Sequence, residues 1–180
     1  MFKLNDNVVY PGHGVAVINE IVEKTVGETV IRFLKLDFLY KDMTILVPMY
    51  NANAIGLRHP SKEQEIATVL QELAKKPEKK IDGADFTPSG WNRRNKDYQN
   101  KIQGGNILEI ARIYRDLMFI AQHKELSFGE RTLQQTTEEL IAQEMQVIQG
   151  CDRSTVIQTL RGPFKMFSYT PEQPAQTLSL

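Results

Sequence analysis

His59-Pro60-Ser61-Lys62-Glu63-Gln64 separates two different hydrophobic rhythms along the chain. Pro60 disfavours helix in the residue before it. Ser61 offers a hydroxyl to cap a helix start, with Gln64 three positions on as the capping-box partner. Beyond it, Ile66, Val69, Leu70 and Leu73 recur at the spacing of one helical face.

Before it, the spacing is that of strands. Val8-Val9-Tyr10 runs into Pro11-Gly12-His13-Gly14, a tight turn rich in Gly and Pro. Val17, Asn19, Ile21 and Glu23 alternate apolar with polar, the period of a half-buried strand. Gly27 marks a reversal into Thr29 to Phe38, and Tyr40-Lys41-Asp42 turns into Met43-Thr44-Ile45-Leu46-Val47-Pro48. Pro48 ends that strand or places it at an edge. Short strands at roughly ten-residue spacing predict a small antiparallel barrel or sandwich of about 55 residues. Its Tyr10, Phe33, Phe38, Tyr40 and Tyr50 read as core aromatics in preference to a cage for a methylated cation.

After the first helix, Pro77 is a stop, and Glu78 to Pro88 is a polar connection. A short helix follows, capped by Ser89 or Gly90 and ended by Gly104-Gly105, with Trp91, Arg94, Tyr98 and Ile102 near one side. Asn106 with Glu109 starts the next, where Ile107, Ile110, Tyr114 and Leu117 face inward. Ser127 with Glu130 forms a capping box for another, with Leu133, Leu140, Ile141, Val147 and Ile148 inward and Gly150 at its end. Asp152 to Leu160 makes a last short helix before Gly162-Pro163. The predicted fold class is α+β: an antiparallel β domain over residues 1–59, an all-α domain over 60–162, and a disordered, Pro- and Gln-rich tail over 163–180.

The formal net charge is zero, but the charge is unevenly spread. Residues 1–58 carry six basic and six acidic side chains, so the β domain is not an electrostatic nucleic-acid binder. Between Lys75 and Lys101 there are eight basic side chains and four acidic ones, a net +4 around the one tryptophan of the chain. Trp91 beside Arg93, Arg94 and Lys96 suits phosphates and unstacked bases. The same pattern also fits a core Trp with solvated basic neighbours.

Catalytic signatures do not emerge. His13, His59 and His123 lie in separate elements without metal-ligand spacing, and no cofactor is expected. The Pro11–Gly14 turn lacks the Lys-Ser/Thr of a phosphate loop. Glu138-Glu139 and Glu63/Glu65 read as solvated helix faces. The lone Cys151 fits a reducing compartment. With no apparent signal peptide and no apolar run of membrane-spanning length, a cytoplasmic, non-enzymatic protein is expected, free of the membrane.

Three sets of residues carry a resemblance: Asp6-x-Val8-Val9-Tyr10-Pro11-x-His13-Gly14-Val15; then Val47-Pro48 with Ile55-Gly56-Leu57-Arg58; then Trp91-x-Arg93-Arg94-x-Lys96. Together they resemble the CarD/CdnL family of bacterial transcription regulators, in register over about residues 1–150, the Leu126-Ser127-Phe128-Gly129-Glu130 segment included. The first set also occurs in transcription-repair coupling factors. The resemblance implies a Tudor-like (SH3-like) N-terminal domain that binds the RNA polymerase β subunit through Lys24 and Ile45-Leu46-Val47-Pro48. It implies a helical domain whose Trp91 wedges into the minor groove of promoter DNA at the upstream edge of the bubble and stabilises the open complex. Arg93, Arg94 and Lys96 would hold phosphates there. A nucleoid-associated monomer without sequence-specific readout is expected. Leu46 is a departure, since some members carry arginine beside the Val-Pro. A protein-binding adaptor that keeps Trp91 in its core is the alternative.

Overall fold

The computed structural model describes residues 2–77 and 87–167. The connection bearing Lys79 and Lys80, and the segment 168–180 of the expected tail, lie outside the described residues.

Four strands, β1 (Asn7–Tyr10), β2 (Gly14–Val26), β3 (Thr29–Phe38) and β4 (Thr44–Pro48), form one antiparallel sheet in the order β1-β2-β3-β4. A register shift between Ile18 and Glu20 lets the long β2 bend, which curls the sheet into a half-barrel. A bridge from Val9 to Arg58 extends the β1 edge. Alternation decides what is enclosed: Val8, Ile18, Leu34, Leu36 and Val47 point inward and are buried.

Among the described residues five α-helices follow: α1 (Glu63–Leu73), α2 (Pro88–Gly104), α3 (Ile107–His123), α4 (Phe128–Gln149) and α5 (Arg153–Arg161). The expected α+β architecture is the one observed. Helix α3 is central, its Ile110, Ile113, Tyr114 and Leu117 buried among α1, α2 and α4. Its start at Asn106, the Ser127–Glu130 capping box of α4 and the left-handed Gly150 that ends α4 all fall where the sequence predicts them.

Some ends differ. Lys62, not Ser61, is the N-cap of α1, because the Glu65 carboxylate takes the Lys62 N–H at 2.8 Å while Ser61 donates its own N–H to Glu144. The cap of α2 is Thr87 rather than Ser89 or Gly90. Its hydroxyl accepts from Gly90 N at 3.2 Å, and Pro88 opens the helix, where a missing N–H costs nothing. The expected disorder from residue 163 is corrected in part. Gly162–Phe167 is a 3-10 helix, anchored because the Phe164 ring meets Tyr114 edge-on at 5.7 Å. Glu138 is not on a solvated face. It is buried, with the Tyr114 hydroxyl donating to it at 2.6 Å and Arg161 donating to both its oxygens at 2.7 Å. Burial pushes its carboxyl up, but those bonds outweigh burial and hold it below the usual range.

Candidate nucleic-acid interface and sheet edge

Helix α2 carries the aromatic-basic motif. Tyr98 and Ile102 are buried and pin one side of it to α3, the Tyr98 hydroxyl donating to Asp116 at 3.4 Å. Burial pushes the Tyr98 phenol well above its ordinary value, so it stays protonated. Trp91 lies one turn from the start of the same helix and is half-buried. Its indole comes close to α4 because residue 129 is glycine: a Cβ there would sit 3.1 Å from the Trp91 ring. Neither of the simple expectations, core or fully projecting, describes it. One side of the ring touches α4, and the rest opens into a groove between α2 and α4.

Phe128 borders that groove and is 87% exposed, an unusual position for a large apolar ring. In sequence it is only the first residue of a capped helix. The available signal was an aromatic placed on the solvent side of a Ser-x-x-Glu box. Trp91 and Phe128 thus border one groove, near the N-terminal ends of α2 and α4.

The cations of α2 divide into two groups. Arg93 and Lys96 are exposed. The Arg94 side chain is only 11% exposed and donates to Glu130 at 3.2 Å, so it braces α2 against α4 rather than facing solvent. Burial pushes the Glu130 carboxyl up, but Lys124 and the Ser127 N–H and hydroxyl bond it and hold it below its ordinary value. Lys101 lies between Asp97 at 3.1 Å and Glu109 at 3.5 Å, and the Asp97 bond raises its pKa.

On the half-barrel, β4 is the edge strand opposite β1, so every second backbone N–H and C=O faces outward. Leu46 is 37% exposed and Pro48 is half-buried, paired in register with Phe33. Lys24 is exposed, its Nζ 6.0 Å from the centre of the Phe33 ring. Ile45 is half-buried against the core, and Val47 is 2% exposed. Strand alternation turns the Val47 side chain into the barrel, so it supports the surface without being part of it. The barrel aromatics do not form one cage. Tyr10 and Phe38 meet around His13, whereas Phe33 lies on the outer face and Tyr50 is 77% exposed.

Among the described residues no cluster of His, Cys, Asp or Glu could hold a metal ion. No described helix is long and apolar enough to cross a membrane.

Residues 2–60 match the family described as CarD-like/TRCF RID domain, and residues 68–161 match CarD, C-terminal domain. A Bacillus subtilis (strain 168) protein described as "Putative transcription factor YdeB" is 27% identical over 150 residues, which cover 83% of this chain and 94% of that protein. The two family matches meet across the change of hydrophobic rhythm after residue 60.

Proposed function

The chain belongs to the CarD/CdnL family of transcription regulators, and on that premise we propose that it ties RNA polymerase to melted promoter DNA. The β4 edge, with Leu46, Pro48 and Lys24, docks on the polymerase β subunit. Trp91 and Phe128 cover bases at the upstream edge of the bubble, Arg93 and Lys96 hold phosphates, and Arg94 keeps α2 in place. The observation that carries this reading is the groove bordered by half-buried Trp91 and exposed Phe128, with exposed cations on α2 beside it, on a chain whose barrel is electrically neutral.

Partly unstacked bases expose apolar faces, and covering one is worth about 1–3 kcal/mol. Two phosphate contacts give little affinity in free solution. They become effective when the barrel is already bound, because the second contact is then intramolecular. Open complexes therefore last longer without any sequence being read.

Footprinting polymerase on a promoter with and without the protein tests this. Added protection at the upstream edge of the bubble is expected. Leu46→Asp should remove it by setting an unpaired charge in an apolar contact, at a cost of about 1–3 kcal/mol. Polymerase retained by the protein with no change in the footprint would favour an adaptor without DNA contact.

A further inference from the structure

Arg58 is joined to both halves of the molecule. Its backbone belongs to the barrel: Val9 N donates to Arg58 O at 2.7 Å, and Arg58 N donates to Val9 O at 3.3 Å. Its guanidinium belongs to the helices. Nε donates to the carbonyl of Gly105 at 3.0 Å, and Nη1 and Nη2 donate to the two Glu144 oxygens at 2.7 and 2.9 Å. Gly105 is the C-cap of α2, so the clamp satisfies a carbonyl that the helix end leaves without a partner. The Glu144 side chain is 3% exposed and also accepts from Ser61 N at 2.7 Å.

Two further contacts tighten the joint. Gln143 Oε1 of α4 accepts from Val15 N at 3.2 Å. Gly105 has φ +71°, and a Cβ on it would lie 3.0 Å from the Pro11 ring, so the barrel's first turn rests directly on the α2 end. The Pro11–Gly14 turn thus serves as a seat for α2 and α4.

The barrel therefore holds α2 at one end, while Trp91 stands near the other. At 1.5 Å per residue, the fourteen residues from Gly105 back to Trp91 span about 21 Å. A tilt of roughly 10° at the base would move the indole by roughly 4 Å, about one nucleotide step along a strand.

We propose that Arg58 is a positioning residue whose clamp on Gly105 and Glu144 fixes the distance and direction from the sheet edge to Trp91. The role of Trp91 rests on the function proposed above; the clamp itself does not. Lysine keeps the charge but cannot reproduce a planar fork serving the Gly105 and His59 carbonyls and both Glu144 oxygens. Glu144→Gln leaves the bond to Gly105 in place and weakens only the ionic half.

The test uses the full chain with Cys151→Ser and paramagnetic labels at Glu28 and Asn92, both exposed. The unaltered joint should give one narrow label-to-label distance. Arg58→Lys should broaden it about twofold, and Glu144→Gln should broaden it less. A distribution already broad in the parent, or unchanged in both variants, overturns the clamp. The second reading is open-complex lifetime, which Arg58→Lys should shorten several-fold when Trp91 is present and leave unchanged in a Trp91→Ala background. Equal losses in both backgrounds overturn positioning through Trp91. If Trp91→Ala alone has no effect, the proposed function fails, and the label distances still decide the clamp.

Discussion

The half-barrel and the helical bundle are held together by different chemistry. In the barrel, Val8, Ile18, Leu34 and Leu36 are fully buried, and the ion pairs Arg32–Glu23 and Lys35–Glu20 lie on its surface. In the bundle, four buried glutamates each take an arginine: Glu72 with Arg115, Glu130 with Arg94, Glu138 with Arg161, and Glu144 with Arg58. Each pair sits at a joint, between α1 and α3, α2 and α4, α4 and α5, and the barrel and α4. Apolar burial is non-directional, whereas guanidinium–carboxylate pairs fix orientation. Under the proposed function, a barrel that presents an edge can rely on the first, and a bundle that aims an aromatic ring needs the second.

If that contrast holds, the largest effect should come from Glu72→Ala. Arg115, 2% exposed, would lose a buried partner at a cost of about 3–5 kcal/mol of stability, measured by denaturant unfolding. A loss below about 1 kcal/mol would show that the buried pairs do not hold the bundle.

Acid should separate the two regions next. The Lys75 bond holds the Glu72 carboxyl below its ordinary value of 4.5; at Glu130 and Glu138, burial pushes upward and the paired cations and hydroxyls more than reverse it. A carboxyl with a depressed folded pKa stabilises fully above its unfolded value and loses that contribution as pH falls through the folded one. Asp116 works in the other direction, because burial raises it, so acid relieves a penalty there. With three buried groups and the exposed Asp152 lowered against one raised, the bundle should lose protection from hydrogen exchange below about pH 4.5 before the barrel core does. In the barrel, the Thr44 bond lowers Asp37, but Asp37 is on the surface and should matter less. Simultaneous loss of protection in both regions would break the contrast.

Smaller effects follow. Arg93→Ala should lower the salt slope of promoter-complex stability by roughly 0.9, one phosphate contact, with unfolding unchanged. Least of all, Arg32→Ala should alter barrel stability by less than about 1 kcal/mol, because Arg32 and Glu23 are both well exposed.

The same contrast governs what could be read from the sequence. The barrel strands were legible because alternation and Gly or Pro turns leave a direct trace. Asn106, Ser127, Gly105 and Gly150 were legible as caps because their chemistry is local. Glu138 was not, since a carboxylate on a helix reads as solvated until its Tyr114 and Arg161 partners arrive from elsewhere. In sequence Arg94 looks like Arg93 and Lys96 for the same reason, although Glu130 turns it inward. Val47 and Leu46 read alike as apolar neighbours, and only the direction of the pleat separates core from surface. Phe128 was hidden by its own cap, and Phe164 by the low-complexity composition around it.

Under the proposed function, the helical half holds an aromatic ring against melted DNA. Open-complex lifetime with Trp91→Ala, on protein whose melting temperature is measured in parallel, tests it most directly. Because Trp91 is half-buried on Gly129, a modest fall in melting temperature is expected. Lifetime should nevertheless drop several-fold to a hundredfold, the loss of about 1–3 kcal/mol of base stacking. A folded Trp91→Ala protein that sustains the open complex as long as the parent would contradict it.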